Sequence, residues 1–268
     1  MRPRAPFIVP LSTGDSVILA VIPARLGATR LPRKPLRDLA GKPVIVRVWE
    51  RVRDLGVADR CVVATDSEEV ASAVRAAGGD CVMTRDSHPS GTDRVAEVAA
   101  RPEFRGFDAI VNVQGDEPFV QREAIAGAVD MVAGGRFPLG TAAARAEQEI
   151  LGQPQVVKVV TADDGRALYF SRAPIPFLRD PSDEPVARML VRQHIGVYAY
   201  TRDALRAWVA LPTHPLEQVE RLEQLRPLAA GIAMGVAEVD APPRGGIDTE
   251  DDLARASAHW EDFSRERG

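Results

Sequence analysis

SVILAVIPARLGATRLPRKPLRDLAGK, residues 16–42, sets a continuous apolar run against a long basic loop. The run SVILAVI at 16–22 shows no polar alternation, as expected of a strand buried on both faces. The loop at 23–42 carries Arg25, Arg30, Arg33, Lys34 and Arg37. Pro43 then opens a helix predicted over 44–55, which Gly56 ends. Strand, loop and helix in this order form the first unit of an open α/β sheet, whose ligands lie beyond the carboxyl ends of the strands. Arginine forks onto phosphate oxygens and lysine acts as a point charge, so the loop suits a triphosphate. A solvated basic face has the same composition. Neither GxxxxGK[ST] nor GxGxxG occurs in the loop, which excludes a Walker loop and a dinucleotide fingerprint there.

Outward from this unit the pattern repeats. Strands are predicted over 60–65, 80–84 and 109–114. Ser67 caps a helix with Glu68 and Glu69 in its first turn and Gly78-Gly79 as its stop. Further helices are predicted over 93–100 and 122–133. The alternation implies a Rossmann-like, doubly wound, mostly parallel sheet. From residue 139 the texture changes, with strands at 139–145, 156–161, 167–171 and 194–200 and fewer helices between them. This reads as a smaller, strand-rich lobe with antiparallel pairing. Helices at 201–211 and 215–228, a strand at 232–239 and a helix at 249–263 follow, the last with a capping-box-like Thr249 and Asp252. The organisation expected is an N-terminal extension at 1–15, a nucleotide-binding core at 16–138, the lobe at 139–200, and a return to the core at 201–268.

Hydrophobic residues make up 45% of the 268-residue chain and charged residues 27%, with a net charge of -4. That composition supports a substantial core and argues against a nucleic-acid partner. Cys61 and Cys81 begin apolar runs with no CxxC or Cys/His cluster near them, so both read as buried thiols of a reducing, cytoplasmic compartment. The apolar run at 17–22 is too short for a membrane span. Residues 1–15 lack the apolar core of a signal peptide and read as a disordered extension or a mis-assigned start.

Other segments carry chemistry. In NVQGDEP, residues 112–118, Asp116 and Glu117 follow a strand, and paired acids there suit Mg²⁺, which takes one or two carboxylates plus phosphate oxygens. An Asx turn before proline gives the same text. Asp248 precedes a helix start and is either its cap or, with Thr249 capping instead, a metal ligand. In HPSGTDR, residues 88–94, a helix start offers backbone N–H groups to an anion or a base edge; an ordinary cap is the other reading. Later, RQHIGVY at 192–198, PLEQ at 215–218 and LEQL at 222–225 supply His, Tyr, Glu and Gln to a polyol acid, unless Glu223 and Gln224 lie on a solvated helix face.

Together VIPARLGATRLPRKPL, VVATD, HPSGTDRVAEV, IVNVQGDEP, VVKVV, ALYFSRAPIPF, RQHIGVYAY, PLEQVERLEQLR and GIDTEDDL resemble the CMP-Kdo synthetases, the 3-deoxy-manno-octulosonate cytidylyltransferases. The likeness covers residues 17–256 in the family's order. It implies a nucleotidyltransferase-type fold and a homodimer formed through the late lobe. It also implies Mg²⁺ dependence and the transfer of CMP from CTP to Kdo, for lipopolysaccharide synthesis. By the same likeness Arg25 and Lys34, beside Ala24, hold the triphosphate, and Ser90, Gly91 and Thr92 face the cytosine. Asp116 and Asp248 match the metal ligands, with Arg25, Lys34 and Asp116 catalytic. Arg94, Gln114, His194, Tyr198, Glu223 and Gln224 match positions around the sugar acid, and Arg172 is a further candidate.

One position departs from the family. Its RLPGKP segment commonly has glycine where this chain has Arg33, which would be strained if that position needs a positive φ. Sialic acid and an 8-amino Kdo are other acid sugars a cytidylyltransferase of this kind would take. A non-catalytic nucleotide-binding module on the same fold is the reading from a different class, and the retention of both Asp116 and Asp248 weighs against it.

Overall fold

The computed structural model describes residues 16–27, 30–240 and 245–265; the extension expected at 1–15 lies outside them. In chain order the strands are β1 (Ile18–Ala24), β2 (Asp38–Leu39), β3 (Lys42–Pro43), β4 (Arg60–Thr65), β5 (Asp80–Met83), β6 (Ala109–Asn112), β7 (Leu139–Arg145), β8 (Lys158–Thr161), β9 (Ala167–Ser171), β10 (Arg192–Thr201) and β11 (Met234–Val239). The helices are α1 (Val44–Asp54), α2 (Glu68–Ala76), α3 (Gly91–Ala100), α4 (Arg122–Ala133), α5 (Glu184–Leu190), α6 (Arg202–Ala210), α7 (Pro215–Glu220), α8 (Leu225–Ala229), α9 (Glu250–Ala258) and α10 (Trp260–Arg265).

β1 lies inside the main sheet, as its apolar sequence demands: Leu19, Ala20, Val21 and Ile22 are inaccessible to solvent. The strand order is β11-β7-β10-β6-β1-β4-β5. Every neighbouring pair is parallel except the two made by β10, so β10 alone runs against the other six. β4 and β5 wind to one side of β1, and β6 takes the other. The carboxyl ends of β1 and β6 therefore flank a topological switch point, where open α/β sheets bind ligands. Two apolar layers cover the sheet. One contains the buried faces of α1, α2, α4 and α9; the other contains those of α3, α6 and α8.

The strands expected at 139–145 and 194–200 are β7 and β10, within this continuous sheet. β8 and β9, paired antiparallel, branch from the main strand path where β8 meets β10. Inside the long loop, β2 and β3 form a short hairpin through Ala40 and Gly41, both at positive φ (51° and 85°), the geometry of a type I′ turn. The single helix expected over 215–228 is two. Arg221 turns left-handed at φ 54° and ends α7. The bend brings Leu222 and Leu225 into the core and leaves Val219 83% exposed. The helix expected over 249–263 is interrupted at His259, where the chain turns Trp260 onto Phe119 and under the Arg47 guanidinium. Cys61 and Cys81 are free thiols, pushed up to about 12 and about 11 by burial. No helix among the described residues is long and apolar enough to cross a membrane.

Candidate active site

The loop after β1 sits against the end of β6 because two glycines permit it. A β-carbon on Gly115 would lie 2.6 Å from the Pro23 carbonyl oxygen, and one on Gly246 would lie 2.8 Å from Glu117 Oε1. The first contact is with backbone, which cannot give way, so glycine is required at 115; at 246 the Glu117 side chain could swing aside, but the Asp116 carbonyl oxygen at 3.1 Å also crowds the position. A cleft of about 320 Å³ opens between the three segments. Ala24, Arg25 and Lys34 line it from the first loop, Gln114 and Asp116 from the end of β6, Ser90, Gly91 and Arg94 from the start of α3, and Asp248 from the approach to α9.

Lys34 is its electrostatic centre. Its Nζ donates to Asp116 Oδ2 at 2.6 Å and to Asp248 Oδ1 at 2.9 Å, and Arg30 pairs with Asp248 Oδ2 at 3.1 Å. Burial would lower the lysine's pKa, but the two aspartates outweigh it and raise the value. Beside them the Glu117 carboxyl is pushed up to about 8, first by burial and then by the charges of Asp116 and Asp248, against the opposing Lys34. Asp248 is not the helix cap. Thr249 caps α9 in a reciprocal box with Asp252, which leaves the Asp248 carboxylate to the cleft. Two other basic residues of the loop turn outward, Arg33 to Glu69 and Arg37 to Glu250. Arg33 occupies the left-handed region at φ 57°, ψ 28°, a conformation that glycine enters without steric penalty and a residue with a β-carbon does not.

At the opposite wall Ser90 caps α3, its oxygen accepting from the Asp93 N–H at 3.2 Å. The helix begins at Gly91, two residues earlier than its sequence suggests, because the cap is Ser90. Glu223 bridges to this wall from the turn between α7 and α8: Ser90 Oγ donates to Oε1 at 3.0 Å and Thr92 Oγ1 to Oε2 at 3.1 Å. Burial raises the Glu223 pKa against those two hydrogen bonds. A residue expected on the sugar therefore touches two expected on the base. Arg94 is buried, donating to Thr84 Oγ1 and to Asp66 Oδ2 at 3.1 Å.

Three expected sugar residues lie behind the cleft. His194 is packed edge-on against Phe170 with Nε2 2.9 Å from Thr141 Oγ1, and burial pushes its pKa down to about 3, so the ring is neutral. Tyr198 packs between His194, tilted at 53°, and Trp208, edge-on at 84°. Both flank the β10 bulge at Ile195–Tyr198, and a β-carbon on Gly196 within it would lie 4.0 Å from Gln114 Cγ. Gln224 is buried. The Arg172 guanidinium donates to the backbone carbonyls of Pro154, Glu220 and Arg221, and it is not among the residues that line the cleft. Sequence reasoning passed over Asp66, which ends the VVATD strand text, and His88, whose imidazole lines the cleft and pairs with Glu97. The position of Asp66 just past a strand end was a usable signal; the pairing of His88 with Glu97 was not.

Residues 19–234 match the model of the cytidylyltransferase family. The chain is 66% identical over 244 residues to a 3-deoxy-manno-octulosonate cytidylyltransferase of Gemmatimonas aurantiaca, covering 91% of this chain and 94% of that one. This chain belongs to the 3-deoxy-manno-octulosonate cytidylyltransferase family. Within it, the protein of that name from Anaeromyxobacter dehalogenans is 48% identical over 90% of this chain and 96% of its own length. A solved CMP:2-keto-3-deoxy-manno-octonic acid synthetase complexed with CTP superposes with a TM-score of 0.84 at 39% identity, over 92% of this chain and 99% of that one. The fold extends beyond the family: a 4-diphosphocytidyl-2C-methyl-D-erythritol synthase from Anaerococcus prevotii shares it at 14% identity, with a TM-score of 0.61 over 92% of this chain and 99% of that one.

Proposed function

We propose that this chain transfers CMP from CTP to the 2-hydroxyl of Kdo and releases pyrophosphate, making CMP-Kdo for lipopolysaccharide synthesis in the cytoplasm. Family membership supports the reaction. The observation that carries it is the cleft in which a basic loop, two converging aspartates and the Ser90–Glu223 bridge meet.

The 2-hydroxyl attacks the α-phosphorus in line, and most of the acceleration is positioning and charge neutralisation. Arg25 and Lys34 grip the triphosphate and offset charge that builds on the α-phosphate and leaving group. The backbone at Ser90 and Gly91, with Thr92, faces the cytosine. Gln114, Arg94 and Glu223 meet the sugar acid, and His194, Tyr198 and Gln224 shape the wall behind Gln114 and Glu223. Asp116 and Asp248 fit Mg²⁺. Both reach one ammonium group, so their oxygens converge on a common point, and a hard cation that uses one or two carboxylates would be held there by this pair. When bound, the ion lowers the pKa of the 2-hydroxyl and neutralises phosphate charge. Lys34 holds the two carboxylates together beforehand. The test is pyrophosphate release with each nucleoside triphosphate against Kdo, 8-amino Kdo and sialic acid, in Mg²⁺. CTP with Kdo is the expected pair. Turnover with sialic acid and not Kdo, or equal turnover with ATP, would overturn the reading.

A further inference from the structure

We propose that Glu220 is a positioning residue for the sugar subsite, acting through Glu223; the inference rests on the sugar site proposed above. Glu220 is the last residue of α7, where a carboxylate opposes the helix dipole. Such a local conflict persists where something else uses the group. Here both carboxylate oxygens are taken by the end of β9: Ser171 Oγ donates to Oε1 at 2.6 Å and the Arg172 N–H to Oε2 at 2.9 Å. The Arg172 guanidinium closes on the same residue from its backbone side, with Nε donating to the Glu220 carbonyl at 2.7 Å. Lys158, inaccessible to solvent, locks Arg172 in turn by donating to its carbonyl at 2.6 Å.

The end of β9 and the end of α7 are thus one polar block. The next residue, Arg221, takes the left-handed conformation (φ 54°, ψ 45°), which sets the direction in which the chain leaves the block. Two residues further on is Glu223, its oxygens on Ser90 and Thr92. Beyond it the Arg226 guanidinium grips the Glu217 carboxylate at 2.6 and 2.8 Å, closing the turn from the other side. Glu223 therefore inherits its position from Glu220 through a turn pinned at both ends. A displacement of about 1 Å at a positioning group costs up to about 10²-fold in function.

The experiment measures the KM for Kdo at saturating CTP, kcat and the melting temperature for the full chain carrying Glu220→Ala, Glu220→Gln or Ser171→Ala. Glu220→Ala is expected to raise the KM for Kdo by about tenfold or more, as loss of preorganisation of a substrate-contacting group predicts. Glu220→Gln keeps an acceptor for Ser171 and should recover part of that loss, while Ser171→Ala should shift KM the same way by less. If the alanine variant does not fold, the other two carry the test. A fall confined to melting temperature and active fraction, with KM for Kdo unchanged in the folding variants, overturns the positioning role. Absence of wild-type turnover with Kdo overturns the sugar reading and this inference together, whereas wild-type turnover with unchanged KM in the variants overturns this inference alone.

Discussion

Asp248 stands one residue short of being a helix cap, and that single step leaves its carboxylate to the cleft. Asp252 accepts the N–H groups of both Asp248 and Thr249, at 3.2 and 2.9 Å, while Thr249 Oγ1 accepts from the Asp252 N–H. The cap is complete without the Asp248 side chain. Asp248→Asn should cut turnover by about 10²-fold, since it removes one carboxylate from the proposed Mg²⁺ site, and leave the melting temperature unchanged. Asp252→Ala should do the reverse, lowering stability by about 1 kcal/mol in urea unfolding with turnover nearly unchanged. The sequence left both roles open for Asp248 because a cap and a ligand occupy the same text. It did expose Arg33 as the departure from glycine, and that position is left-handed. The Glu69 partner of Arg33 lies 36 residues away and carried no signal.

At the scale of the element, α3 does more than begin at the cleft. Its Glu97 reaches back to the loop that leads into Ser90, accepting from the Arg85 N–H at 3.1 Å and pairing with His88 and Arg101. Burial alone would raise the pKa of this carboxyl. The hydrogen bonds from His88, Arg85 and Arg101 outweigh it and bring the value from 4.5 to about 2. A carboxyl depressed in the folded state stabilises it above the unfolded pKa and loses that contribution as pH falls through the folded one. Glu97→Gln should therefore lower the urea midpoint at pH 7, with the gap to wild type closing between about pH 4.5 and about pH 2. Elements with continuous apolar runs or clear caps, such as β1, β4, α2 and α4, were legible beforehand. The break of the 215–228 helix was not, because a left-handed arginine has no signature in sequence. The antiparallel pairing expected from residue 139 onward is found at β10, but its place inside the main sheet, between β7 and β6, was not legible, since the apolar pattern of a strand does not name its neighbours.

Across the whole molecule, the residues from β9 to α7 leave large apolar side chains in solvent: Phe177 at 80% exposure, Val219 at 83% and Met189 at 59%, with Leu168, Val186 and Leu190 each at half or more. Large exposed apolar groups suit an association surface, where a partner removes them from water. The partner proposed is a second copy of this chain, as the family likeness implies. Light scattering should give twice the monomer mass, and Val219→Asp with Phe177→Ser should halve it; a monomeric wild type would overturn the pairing. The ionic contacts at the cleft have a different reach. Lys34 joins Asp116 across 82 residues of chain and Asp248 across 214. Contacts so distant in sequence form late, because the closure entropy of the intervening chain opposes them until the sheet between is built. A ribosome that has released the whole βαβ half of this protein has still made nothing that can join its two aspartates. The proposed reactive centre comes into being only when the segment before α9 has emerged and docked.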